Sequence, residues 1–299
     1  MATTIRTTGA ASLALELGGV LAGTLHSWLP PSLRIARVAS NAGGHTVLRA
    51  GSTLSLGHLA AEVDLIENGP LLDWLMSLPR YAAPASAGAV LVLDRNLAAV
   101  RRVDFADSLV TELSLPKLSA SDAKRPFSVG VVWRTSKLAD NPGSGQKVVL
   151  GKGKAKAKAL LCGNFRVQGL PFDASAIAEV GLPTLRGQPS SGESRLPSKG
   201  YASIDAGELS LRLLSRSADA ALRWVQKTVA DGQLDTPEFL DLTVELLDAT
   251  LKNVRAVLRL GGCGLLACDE ARIDTRSDAP GSVTLRFAVE AVDLMFSGA

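Results

Sequence analysis

Two stretches of this chain, 154 positions apart, read the same way. Each is a strand with alternating apolar residues that ends in Leu-Asp, then a short polar turn, then a second strand carrying several basic residues. The first is AVLVLDRNLAAVRRVDF (89–105) and the second LTVELLDATLKNVRAVLRL (242–260), with Asp94 and Asp248 at matching places. Each has the form of a β-hairpin. A repeat of this kind constrains the fold more than any single motif, because both copies must solve the same packing problem.

The flanking landmarks keep the same order. Before each hairpin a strand runs into a short helix, in AAEVDLIENGPLLDWLMSLPR and in ELSLRLLSRSADAALRWVQKTVADG. Leu71, Leu72, Leu75 and Leu78 fall at helical spacing around Trp74; Ala218, Ala221, Leu222, Val225 and Val229 do so around Trp224. Both tryptophans lie on apolar helix faces and are expected to anchor helix to sheet. Each half opens on a strand-like stretch before glycine, Leu13–Leu17 and Asn164–Gln168. Each closes on alternation: Phe127, Val129, Val131 and Trp133, then Val283, Leu285, Phe287, Val289 and Ala291. Period-two patterns of this length bury one face of a sheet.

Between the halves, from Lys137 to Lys158, Gly, Lys and Ala dominate and large apolar residues are few. Such a segment reads as a linker or an exposed hairpin. The expected organisation is a first domain at 1–138, a Gly/Lys-rich linker or loop at 139–158, and a second domain at 159–299. The expected fold class is α+β, mainly β: two tandem antiparallel sheets or partial barrels, each with one short helix.

This arrangement resembles the tail tube protein family of contractile-tailed phages and phage-like injection systems. The resemblance rests on a long β-hairpin, on LLDWLMSL (71–78), and on VLVLDRNLAAVRRVDFADSLVTELSLPKLSA. The family's features fall on Leu72-Asp73-Trp74, Asp94, Arg102 to Phe105, Pro116 and the closing strand Ser128 to Trp133. The second half departs from the pattern: Arg223-Trp224 replaces Asp-Trp, and Gly261-Gly262-Cys263-Gly264 replaces the polar junction. The resemblance implies a structural subunit that assembles into rings, with two fused copies able to close a pseudo-sixfold ring from three chains, or a homohexamer as the alternative. Its implied partners are itself and adjacent tube, sheath, baseplate or spike proteins, with DNA or protein cargo only passing through a lumen. Ring contacts are expected at Val63, Leu65, Leu91, Leu93, Val103, Phe105, Leu242, Val244, Leu246 and Val257. The runner-up within the structural class is a baseplate hub adaptor joining the tube to its spike, and the rival reading from another class is a non-catalytic two-domain scaffold that clasps one partner.

Composition narrows the alternatives. Hydrophobic residues are 46% of 299, enough for sizeable cores, while aromatics at 4% argue against a stacking platform for single-stranded nucleic acid. A net charge of +3 implies no broad nucleic-acid footprint. Three cysteines form no disulfide framework, and with neither a signal peptide nor a long apolar run evident, synthesis in the cytoplasm without membrane insertion is expected.

VLGKGKAKAKAL lacks the Ser or Thr that a phosphate-binding loop places after its Gly-Lys. Its lysines, Lys147, Lys152, Lys154, Lys156 and Lys158, read as a solvated basic loop or as a salt-sensitive contact to DNA or an acidic neighbouring ring. His26, His45 and His58 stand alone, and Cys263 and Cys268 lack a second pair, so no metal is expected. No G-x-S-x-G elbow occurs and no carboxylate pair stands out, so neither catalysis nor a cofactor is expected.

Overall fold

A computed structural model of the chain describes residues 12–42, 45–64, 70–82, 86–149, 160–189, 201–230, 239–270 and 281–296. The first half contains β1 (Ser12–Leu17), β2 (Val20–Leu29), β3 (Leu33–Ala42), β4 (His45–Leu56), β5 (Leu59–Asp64) and helix α1 (Pro70–Met76). It continues with β6 (Ser86–Leu93), β7 (Ala99–Ser114), β8 (Leu118–Ser119), β9 (Ser128–Arg134) and β10 (Lys137–Pro142). The second half contains β11 (Phe165–Gln168), β12 (Ile177–Gly181), β13 (Thr184–Pro189), β14 (Tyr201–Asp205), β15 (Glu208–Leu214) and helix α2 (Asp219–Ala230). It ends with β16 (Leu240–Leu247), β17 (Val254–Glu270), β18 (Ser282–Ala288) and β19 (Ala291–Phe296).

All pairing is antiparallel, and in the first half it closes on itself. The circuit β7-β6-β1-β2-β5-β9 returns to β7 through Leu109↔Arg134 to Ser114↔Gly130. Closure removes the sheet edges that a solitary domain would otherwise expose. Gly18 and Gly19, at φ +58° and +79°, supply the tight β1–β2 turn that brings Leu17 opposite Val20. The second half repeats the circuit as β11-β16-β17-β18-β15-β12 and leaves it open between β11 and β12. Where the first half has its Gly-Gly hairpin, the second has Pro171 and a 3₁₀ turn at Ala174–Ala176, in which the Ser175 N–H donates to the Asp173 carboxylate. A chain turning through Pro and a 3₁₀ helix cannot donate the ladder that β2 gives β1.

The register shows how closely the halves correspond. Val110↔Trp133 and Glu112↔Val132 flank a bulge in β7; Leu265↔Phe287 and Ala267↔Arg286 flank the same bulge in β17. Lys137↔Ala106 through Pro142↔Arg101 matches Ala291↔Gly261 through Phe296↔Ala256. Asp107 and Gly262, each just beyond the paired end of that last strand, both take positive φ, 51° and 63°.

Two expectations are refined. Residues 139–142 belong to strand β10, paired with β7, while 150–159 fall outside the described residues. The alternating run from Val283 to Ala291 is two strands, β18 and β19, which follow one another along β17 in the same direction; the ladder is interrupted at Val289–Glu290, where the Glu290 N–H donates to the Gly261 carbonyl.

Inside, the odd residues of β15 (Leu209, Leu211, Leu213) and the alternate residues of β9 (Val129, Val131, Trp133) are essentially solvent-free. Trp74 from α1 packs against Trp133 at 5.5 Å and Phe105 at 6.5 Å. Trp224 from α2 sits 5.9 Å from Phe172 and 6.3 Å from Phe287. The two tryptophans therefore hold their helices to equivalent sheets.

Candidate assembly surfaces

Strand pairing crosses the midpoint of the chain. Hairpin β13–β14, from the second half, lies on the first barrel: Thr184, Leu185 and Arg186 pair with Ser114, Leu113 and Glu112 of β7. In return β8, from the first half, pairs Leu118 and Ser119 with Val180 and Glu179 of β12, beside the opening of the second barrel. Side chains reinforce both joints. Arg186 Nε lies 3.2 Å from Glu112 Oε2, and the Tyr201 hydroxyl donates to the Val110 carbonyl at 2.8 Å. Lys117 Nζ sits 2.6 Å from Glu179, which also receives Arg212; the Lys117 hydrogen bond leads in holding the Glu179 carboxyl below the usual range. Leu185, Val180 and Leu118 are buried at these joints, so the backbone ladders are sealed by apolar contact.

The first half has its own version of that hairpin, β3–β4. It forms a separate two-stranded sheet that pairs with no other described strand. Its arms are ten and twelve residues long. The corresponding edge of β17 is also bare. Residues 264–270 pair with β18 on one side and with no described strand on the other. At that edge Leu266 is 55% exposed, whereas Thr111 at the equivalent bulge of β7 is 8% exposed. An open groove of about 570 Å³ runs beside it, lined among others by Leu182, Thr184, Arg186, Asp205, Leu266 and Val289.

The expected ring-contact positions have a different placement. Val63, Leu91, Leu93, Val103, Phe105, Leu242, Val244 and Leu246 are all buried within one chain, Val257 is half-buried, and Leu65 lies outside the described residues. Their side chains fill the chain's own cores, Leu91 and Leu93 in a small cluster on the other face of the β1–β6 sheet with Ala14, Ala89 and Ala99. What these strands have left to offer a neighbour is backbone edge and polar face. Lys147 is exposed; Lys152, Lys154, Lys156 and Lys158 lie outside the described residues.

The polar face of the first barrel carries an ion-pair chain. Arg102 grips both oxygens of Glu16 at 3.0 and 2.8 Å and reaches Asp104 at 2.7 Å, contacts that raise its already high pKa. Alongside, Arg101 holds Asp140 of β10 through two hydrogen bonds, which lowers the Asp140 carboxyl. These pairs fasten β1, β7 and β10 together from outside. Among the described residues no group of three or more His, Cys, Asp or Glu is placed to hold a metal, and no helix is long and apolar enough to cross a membrane.

Thr184–Arg186 and Leu266 were not singled out from sequence. Their signal was present, since Pro31-Ser32-Leu33-Arg34 and Pro183-Thr184-Leu185-Arg186 mark the same hairpin root in the two halves.

In fold the chain is similar to tail tube and Hcp components of contractile systems. It matches the tube-terminating cap of the anti-feeding prophage at 12% identity and TM-score 0.38, over 45% of this chain and 89% of that one. It matches a chain of the sheath–tube complex of the PVC extracellular contractile injection system, in its extended state, at 12% identity and TM-score 0.37, again over 45% and 89%. Hcp1 from Flavobacterium johnsoniae matches at 14% identity and TM-score 0.32, over 44% of this chain and 96% of that one. No family model matches the sequence, and no curated protein does.

Proposed function

We propose that this protein is a structural subunit that self-associates into rings of a phage-like tail tube or tube adaptor, three chains closing one pseudo-sixfold ring. The observation that carries the reading is the strand exchange at the midpoint. One half of the chain already joins the other as one subunit of a ring would join the next, by laying a hairpin on a barrel edge. Each chain is then two ring positions in tandem, 1–138 and 159–299, and a head-to-tail contact of this kind closes when its rotation divides a full turn.

The halves are unequal, one barrel closed and the other open. That inequality favours an adaptor over a repeating tube body, because alternating domains present a threefold pattern to a spike or hub on one side and a near-sixfold one to tube and sheath on the other. Cargo, DNA or protein, passes through the lumen without a dedicated site, and no residue is assigned a catalytic role. Assembly happens after synthesis in the cytoplasm.

Negative-stain electron microscopy of the purified chain tests this reading. Rings or short stacks with a central hole are expected; solid particles without a hole contradict it.

A further inference from the structure

The two hairpins of this chain are equivalent in sequence position but unequal in what they touch. Hairpin β13–β14 is seated on β7, whereas β3–β4 is seated on nothing described. The two edges are unequal in the complementary sense, with β7 covered by β13 at 112–114 and the matching edge of β17 at 267–269 covered by no described strand. A free strand edge invites a strand, and a protein that leaves one bare beside an exposed leucine presents a docking site.

We infer that β3 of one copy of this chain pairs antiparallel with the end of β17 of a second copy, repeating between chains the joint that β13 makes with β7 within one. This rests on the ring reading above and names its contact.

The register follows from the internal joint. Thr184, Leu185 and Arg186 lie opposite Ser114, Leu113 and Glu112. At the hairpin roots Arg34↔Ser55 stands where Arg186↔Asp205 stands, and Gly57 comes close to the Ser32 backbone as Gly207 does to that of Thr184, so Ser32, Leu33 and Arg34 correspond to Thr184, Leu185 and Arg186. Around the shared bulge, Glu112, Leu113 and Ser114 correspond to Ala267, Cys268 and Asp269. Leu33 therefore falls opposite Cys268, with Arg34 opposite Ala267 and Ser32 opposite Asp269.

Burial agrees with this assignment. Leu113 and Leu185, which face each other in the internal joint, are each 1% exposed. Cys268, with β18 on one side and no described strand on the other, is only half-buried, and Leu266 and Ile35 are two of the large apolar side chains left exposed, at 55% and 57%. The ion pair of the internal joint is not repeated, since Ala267 replaces Glu112. The proposed contact thus depends on backbone ladder and apolar cover more than on charge.

The natural thiol makes the register testable. Directly opposed residues of an antiparallel pair lie within the Cα separation a disulfide spans. In Leu33→Cys, mild oxidation with copper–phenanthroline is expected to give covalent ladders up to three chains on a non-reducing gel, and Cys268→Ser in the same background is expected to abolish them. Cys162 and Cys263 are buried and should not compete. Leu266→Asp, a change at an exposed position, is expected to reduce the particle to single chains while leaving the circular dichroism spectrum and the melting of the monomer intact. If Leu33→Cys keeps its three-chain mass but forms no disulfide to Cys268, this contact is overturned and the ring reading stands. So it is by an undiminished ladder after Cys268→Ser, or by full assembly of Leu266→Asp. A chain that stays monomeric before any substitution overturns both.

Discussion

Leu97 and Leu251, 154 positions apart, both adopt left-handed backbone, at φ 63° and 58°, three residues after the aspartates that organise their turns. Left-handed backbone disfavours leucine by about 1–2 kcal/mol, so the same exception at equivalent sites shows how closely the two turns share their geometry.

The two leucines differ in what they contact, and substitution should expose this. Leu251 is 56% exposed, whereas Leu97 packs on the Ala14, Leu91 and Leu93 cluster. Leu251→Gly is expected to leave stability unchanged or to raise it by up to about 1 kcal/mol, by relieving strain. Leu97→Gly should lose apolar contact and come out less stable than Leu251→Gly. Urea denaturation of both variants measures the difference.

Asp248 supplies the acid sensitivity of the second turn. One carboxylate oxygen accepts from the Thr250 hydroxyl and N–H and from Lys252 N–H, and the other accepts from the Asn253 amide. The Thr250 and Asn253 hydrogen bonds hold this carboxyl far below the usual range. A depressed folded-state pKa adds stability that is complete above the unfolded value, near 4, and is lost as pH falls through the folded one. Asp248→Asn should therefore flatten the decline of Tm between about pH 4 and pH 2 while lowering Tm at pH 7.

Trp133 and Phe287 occupy the same place in the two barrels, so one repeat already shows that the smaller ring fits. The Trp133 indole N–H is buried with no hydrogen-bond partner among the described residues. Trp133→Phe is expected to cost about 1 kcal/mol, since the lost volume is offset by removing an unmet donor. Trp74→Ala, which empties the space against both Phe105 and Trp133, should cost about 3–5 kcal/mol. Chemical denaturation separates the two.

Tyr201 ties hairpin β13–β14 to the first barrel. Burial pushes its phenol up to about 12, against a smaller opposing effect from Ser77. An acid whose pKa is raised on folding adds stability that is present below the unfolded value, about 10, and is lost as pH rises toward the folded one. Tyr201→Phe should lose about 1 kcal/mol at neutral pH with its hydrogen bond to Val110, and its stability should fall less steeply above pH 10. Thermal melts across that range check both parts.

Much of the architecture was legible in the sequence because it is written locally. The Leu-Asp turns, the alternation in β9, β15 and β18, and the helices around Trp74 and Trp224 each follow from a short window of residue types. Strand β10 escaped because Lys-Leu-Ala-Asp-Asn-Pro has the composition of a loop, and only the backbone of β7 beside it makes it a strand. Its counterpart, Ala291–Phe296, is apolar and alternates plainly. The crossing of β13–β14 onto β7 left even less trace, since a sheet edge is a property of backbone groups that every residue carries. Side chains chosen as ring contacts for their alternation are mostly buried for the same reason: alternation reports burial, and one chain supplies the burial itself.

The measurement that bears most directly on self-assembly into a three-chain ring is the mass of the purified protein by multi-angle light scattering across a concentration series. A species of three times 31.1 kDa, persisting on dilution, is the predicted result. A single species of 31.1 kDa at every concentration would contradict it.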